Sequence, residues 1–80
     1  MSLQEHQLEA LYRRLEKPLY NVAYRWVWNP DDASEVVQDA FLKLWGMRDR
    51  VDAATVEPLL YRILVNTASN RRRKKRLLTW

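Results

Sequence analysis

The sequence predicts an all-α fold, a compact bundle of three to four helices. Apolar residues recur at intervals of three and four along three long stretches, the spacing that stripes one side of a helix. A single glycine and three prolines are too few turn formers for a set of hairpins. No alternation of apolar and polar residues persists long enough to make a strand. Eighty residues make one small domain, near the lower limit for a self-sufficient core, and 48% hydrophobic residues with four Trp and four Tyr can fill that core densely.

In the first stretch, Leu3 to Trp28, the stripe is Leu8, Leu11, Tyr12, Leu15, Leu19, Val22, Ala23 and Trp26. Pro18 lies in its middle. Proline donates no backbone bond and crowds the preceding turn, so a kink or break is expected near Glu16–Pro18. The stripe keeps its phase across that point, so both halves cover the same core. His6, the only histidine, has no second ligand near it and reads as a solvent-facing helical residue. Met1-Ser2-Leu3 is compatible with a start added for expression and equally with a native one.

The second stretch is Asn29 to Met47. Asn29-Pro30 turns the chain and pre-sets a first helical turn. Asp31, Asp32 and Glu35 place acids where a helix N-terminus is partially positive, and Asp32 with Glu35 has capping-box spacing. Val36/Val37, Ala40/Phe41 and Leu44/Trp45 form the buried stripe. Opposite it fall Glu35, Gln38, Asp39, Leu42 and Gly46, with Leu42 presented to solvent among acids and an amide. On spacing alone an acidic solvated face with one exposed leucine is the commoner meaning of this pattern, and a partner surface the sharper one.

Gly46 and the charged run Arg48 to Asp52 end that helix and open a loop to about Ala54. Thr55 is the expected N-cap of a third helix, with Glu57 and Pro58 in a first turn that tolerates both. This helix runs from Val56 to about Arg76. Its stripe, Leu59/Leu60, Ile63/Leu64 and Thr67/Ala68, stops near Ala68, so the remainder projects past the bundle as a basic rod. Opposite the stripe lie Arg62, Asn66, Ser69, Asn70 and Arg73. Leu77, Leu78 and Trp80 resume apolar character at the end and receive no assignment.

The net charge of +4 hides an asymmetry. Residues 71–76 read RRRKKR and hold six of the fourteen Lys and Arg, leaving eight bases against ten acids elsewhere, a net of −2. Between Asn29 and Pro58 seven acids face three bases, a net of −4. An acidic middle and a basic end suggest two partners of opposite charge. Arginine and lysine neutralise phosphates, and asparagine bonds base edges or backbone oxygens, so the α-helical face of Arg62, Asn66 and Arg73 suits nucleic acid. The same basic run also fits a localisation-like patch, an RNA-binding arm or an anionic membrane surface.

Catalytic readings find no support. The chain has no Gly-rich phosphate loop, no Ser-His-Asp set, no cysteine and no Cys/His metal spacing. The acids of the middle helix lack the Glu-x-x-His motif of bundle metal sites. No cofactor, metal or small-molecule substrate is expected. No apolar run approaches the roughly 18 residues of a membrane span, and no signal peptide precedes the first helix.

Taken together, DDASEVVQDAFLKLW followed by LLYRILVNTASNRRRKKR closely resembles region 2 of the extracytoplasmic-function sigma factors, in the sigma-70 family of bacterial transcription initiation factors. Asp31/Asp32, Val37-Gln38-Asp39, Phe41 and Trp45 meet the first pattern of the family. Tyr61-Arg62-Ile63, Asn66 and Arg71 to Arg73 meet the second. The opening LYRRLEKPLYNVAYRWV is similar to the family's first helix, and the likeness covers roughly residues 8–76.

The resemblance implies two working faces in a cytoplasmic protein. The helix Asp31–Met47 would dock on the β′ clamp helices of core RNA polymerase through Asp32, Glu35, Gln38, Asp39 and Leu42. The last helix would meet the −10 element of promoter DNA through Arg62, Asn66, Ser69, Asn70, Arg71, Arg72, Arg73 and Lys74. The loop holding Arg48, Asp49, Arg50, Val51 and Asp52 would capture a base flipped from the non-template strand, favouring the melted state without any hydrolysis. That loop lacks aromatic residues, so capture would rest on hydrogen bonds and a pocket. An anti-sigma factor is a further partner the family implies; a membrane is not. The family's second promoter-binding domain is absent, so the 80 residues are expected to be one region 2 domain of a longer protein. The rival reading is a small helical adaptor whose basic last helix binds an acidic protein or an anionic membrane.

Overall fold

The computed structural model describes residues 2–78. It forms helices α1 (Glu5–Val27), α2 (Pro30–Gly46) and α3 (Val56–Leu78), with a 3-10 turn, Arg48–Arg50, between α2 and α3. The described residues contain no strand. Each helix packs on the other two, because each carries one apolar stripe and three stripes can close on one another. Leu11, Leu15, Leu19 and Ala23 come from α1, Val36, Val37, Ala40, Phe41 and Leu44 from α2, and Leu60, Leu64 and Ala68 from α3. Ala23, Ala33, Ala40 and Ala68 are wholly buried. Small side chains at these positions let the helices approach closely while leucines fill the space between them.

The all-α expectation therefore holds, and three local expectations change. No break occurs at Pro18, which lies exposed inside the continuous helix α1. An internal proline costs an isolated helix about 3 kcal/mol. Here Leu15 and Leu19, 5% and 0% exposed, hold the chain on one core from either side of it. The cap of α2 is Asn29, whose Oδ1 accepts from Asp32 N at 3.0 Å. The cap thus lies one turn before the Asp32–Glu35 pair, whose carboxylates are released for other work. Thr55 does precede α3, and its carbonyl accepts from Leu59 N at 3.4 Å. Its hydroxyl, however, donates to the Asp52 carbonyl at 3.4 Å, closing the loop instead of capping the helix.

Leu3 and Val51 belong to the core, 3% and 2% exposed. The Leu3 amide donates to the Arg48 carbonyl at 2.8 Å, so the first residues are stitched to the 3-10 turn. Leu3 is thus structural, whatever its origin. Among the described residues the only positive φ outside glycine is at Trp28 (φ 54°, ψ 30°), the left-handed residue that ends α1. His6 is exposed, as its isolation suggested.

Candidate functional site: the outer faces of two helices

The core stripe of α2 turns Gln38 and Leu42 outward. Leu42 is 62% exposed. It does not stand alone: with Gln38, Leu8, Tyr12, Phe41 and Trp45 it lines a groove of about 380 Å³ between α1 and α2. Tyr12 is fixed there by an edge-on contact with the Phe41 ring, centroids 4.9 Å apart. The hydrogen bond between the Tyr12 hydroxyl and Glu16 pushes that phenol above its ordinary value. Asp39, half-buried, borders the same face. An apolar groove beside a carboxylate suits a helix that offers an apolar ridge with basic flanks. The contributions of Leu8, Tyr12 and Trp45 were missed from the sequence. The spacing places all three in the buried stripes, and only the α1–α2 packing shows them reaching the rim.

Asp32 and Glu35 turn elsewhere. Asp32 Oδ1 accepts from Arg71 Nη2 at 3.2 Å and its Oδ2 from Lys75 Nζ at 2.7 Å. Glu35 Oε2 accepts from the same Arg71 nitrogen. The acids at the start of α2 and the bases at the end of α3 are therefore, in part, one another's partners. The Lys75 hydrogen bond, aided by both positive charges and opposed by burial, holds the Asp32 carboxyl below its ordinary value. The basic rod extends past the core but is strapped to α2 over its first turns. Part of the charge division seen in the sequence is thus met within the molecule itself. Opposite charges separated by 36 to 43 residues in sequence meet because the bundle is antiparallel at this end.

The loop between α2 and α3 is held by contacts of its own side chains. Val51 is part of the core, so its side chain is not presented on the surface of the loop. Arg48 lies over the Trp45 ring, 4.4 Å from its centroid, and donates to the Trp45 carbonyl at 2.9 Å. Asp52 Oδ1 accepts from Ala54 N at 2.9 Å, a side-chain turn that shapes the loop. Asp49 and Arg50 remain exposed.

Along α3, Arg62, Asn66, Asn70, Arg72, Arg73 and Lys74 are exposed, and Ser69 is half-buried. Arg73 Nη2 donates to Asn70 Oδ1 at 2.8 Å, tying neighbouring turns of this face. On the inner side Thr67, 7% exposed, donates to the Ile63 carbonyl at 2.8 Å and accepts from Lys43 Nζ at 3.0 Å. Thr67 thereby joins α2 to α3 beneath the polar face. Leu77 and Leu78 continue α3 and are 69% and 76% exposed. Trp80 lies outside the described residues.

The described residues contain no group of three or more His, Asp or Glu side chains placed to hold a metal ion. They also contain no helix long and apolar enough to cross a membrane. Residues 11–77 match the family model described as Sigma-70 region 2. No solved structure matches the chain. The matched span takes in most of α1, all of α2, the loop and α3 up to Leu77. With more than half of its residues inside the match, the chain belongs to the sigma-70 family as a region 2 domain, a part of transcription initiation factors that works in recognition of the −10 element.

Proposed function

We propose that this domain is the region 2 of an extracytoplasmic-function sigma factor, working in the cytoplasm, and that it divides its two tasks between two helix faces. The α2 face around Leu42, Gln38 and Asp39 docks on the β′ clamp helices of core RNA polymerase. The α3 face of Arg62, Asn66, Asn70 and Arg73 holds the non-template strand of the −10 element. Asp49 and Arg50, with the backbone of the loop, meet the flipped base.

The observation that carries this reading is the exposure of Arg62 and Asn66 on the side of α3 turned away from its buried stripe. The two residues are one turn apart, and Asn70 and Arg73 follow on the same side, so two amides lie between two arginines along about 16 Å of one helix face. Strand opening follows from binding alone: a surface that holds unpaired bases and ignores the closed duplex shifts the equilibrium toward the melted form. In this arrangement Asp32 and Glu35 lie between the faces, touching Arg71 and Lys75, and serve the polymerase only when released.

Single-stranded −10 oligonucleotides should bind with steep salt dependence. Asn66→Ala and Arg62→Ala should each weaken them by about 1 to 3 kcal/mol if they contact bases. Unchanged affinity in both would place the DNA face elsewhere. Asp39→Lys combined with Leu42→Ala should abolish capture by a β′ clamp-helix fragment at unchanged helicity, and retained capture would refute the docking face.

A further inference from the structure

Trp28 is 71% exposed and holds a left-handed backbone, φ 54°, at the end of α1. That position most often carries glycine, because a β-carbon is disfavoured there. An indole in such a place neither suits the backbone nor fills the core. Its ring stands 6.0 Å from the Tyr24 ring, which in turn stacks on Tyr20 at 6.2 Å, so the indole is propped from one side along α1. Beside it a groove of about 280 Å³ is lined by Trp26 and Trp28, by Asp32 of α2, and by Arg71, Arg72 and Lys75 of α3, of which Arg71 and Lys75 already pair with Asp32. A second groove of about 240 Å³ continues from Trp26 to Ser69, Arg72 and Arg73. Trp26 and Arg72 border both, so the aromatic end of α1 and the polar face of α3 make one continuous track.

We propose that Trp28 is a stacking platform for an unpaired nucleobase, with Arg72 holding the adjoining phosphate. The inference rests on α3 being a nucleic-acid track, and it adds a site on α1 that a reading of α3 alone does not contain. Every base has a flat face, so an exposed indole beside cations holds single strands without choosing a sequence. Ser69 and Arg73 border the second groove and belong to the α3 face. That continuity favours nucleic acid over a lipid surface, which would not need a groove leading to Ser69 and Arg73.

The test is equilibrium binding of the 80-residue chain to a labelled single-stranded oligothymidylate and to an abasic strand of equal length, at one moderate salt concentration. Trp28→Ala should weaken the oligothymidylate about tenfold, the size of one lost stack, leave the salt slope unchanged and leave the abasic strand unaffected. Trp28→Tyr should recover most of the loss. Trp28→Gly should show the same loss as alanine while keeping its thermal midpoint, so that affinity and folding separate. Equal binding by wild type and Trp28→Ala overturns the proposal, as does an equal loss on the abasic strand. Loss of binding to anionic vesicles by Trp28→Ala, with oligothymidylate unaffected, overturns it in favour of a lipid contact. Arg62→Ala and Asn66→Ala, run beside it on −10 strands, separate the two claims. If they lose affinity and Trp28→Ala does not, only the α1 site falls; if Trp28→Ala alone loses it, the Arg62 and Asn66 assignment falls while the groove beside Arg72 stands.

Discussion

At one end of the bundle Leu3 and Val51 are 3% and 2% exposed, and a backbone bond from Leu3 to Arg48 joins the chain start to the 3-10 turn. At the other end Arg71 and Lys75 of α3 grip Asp32 of α2, and Arg71 also grips Glu35, beside an indole 71% exposed. Both ends must close three helices, yet they use different forces. Apolar burial is indifferent to salt and carries no charge to offer a partner. Ion pairs are weakened by salt and by competing anions, and a nucleic-acid backbone is a dense row of such anions. A closure that a ligand can exchange for its own contacts sits where the proposed ligand arrives. The closure that nothing needs to open is dry.

The largest effect belongs to the dry end. Leu3→Ala should cost about 2 to 3 kcal/mol of unfolding free energy, and the loss should be the same at low and high salt. A loss under 0.5 kcal/mol would mean the chain start is dispensable. Next, Arg71→Ala should cost about 1 kcal/mol at low salt, with most of that difference gone near 1 M salt. A salt-independent loss would show the residue acting by packing.

Acid should act on the ionic end in a defined direction. The folded-state carboxyl of Asp32 lies below its ordinary 3.8, so its contribution is present above that value. It is lost as pH falls through the lower, folded value. Asp32→Asn should therefore be less stable than wild type at neutral pH, and the gap should close on acidification below about pH 4. A gap that stays constant in acid denaturation curves would break the assignment. The smallest change is at Trp28. Replacement by glycine removes an unfavourable left-handed conformation while loosening the unfolded chain, for a net change within about 1 kcal/mol. A large destabilisation would make the indole structural and count against its availability to a ligand.

The legible part of the fold was the part written in local periodicity. Val36, Val37, Ala40, Phe41 and Leu44 were readable as a buried stripe because residues three and four apart share a helix face whatever the helix packs on. The same rule put Leu42, Arg62 and Asn66 outside. Leu3 and Val51 were not legible, since an apolar residue outside any repeat gives no sign of where it packs. The dual hold of Arg71 on Asp32 and Glu35 was not legible either, because no local rule pairs side chains 36 and 39 residues apart. At Pro18 the break allowed for by its sequence does not occur. A rule for isolated helices was overridden by the burial of Leu15 and Leu19.

By itself the sequence determined that three amphipathic helices would form, which side of each would meet the others, and to which family's pattern their motifs belong. Short-range sterics and hydrogen bonding fix those outcomes within a few turns of chain. Only the tertiary structure decided that the acids of α2 would hold the bases of α3, that Val51 would anchor the loop between α2 and α3, and that Trp26 and Trp28 would border the basic rod. Those relations depend on helix order and antiparallel packing, and they arise only when distant parts of the chain bury their stripes together.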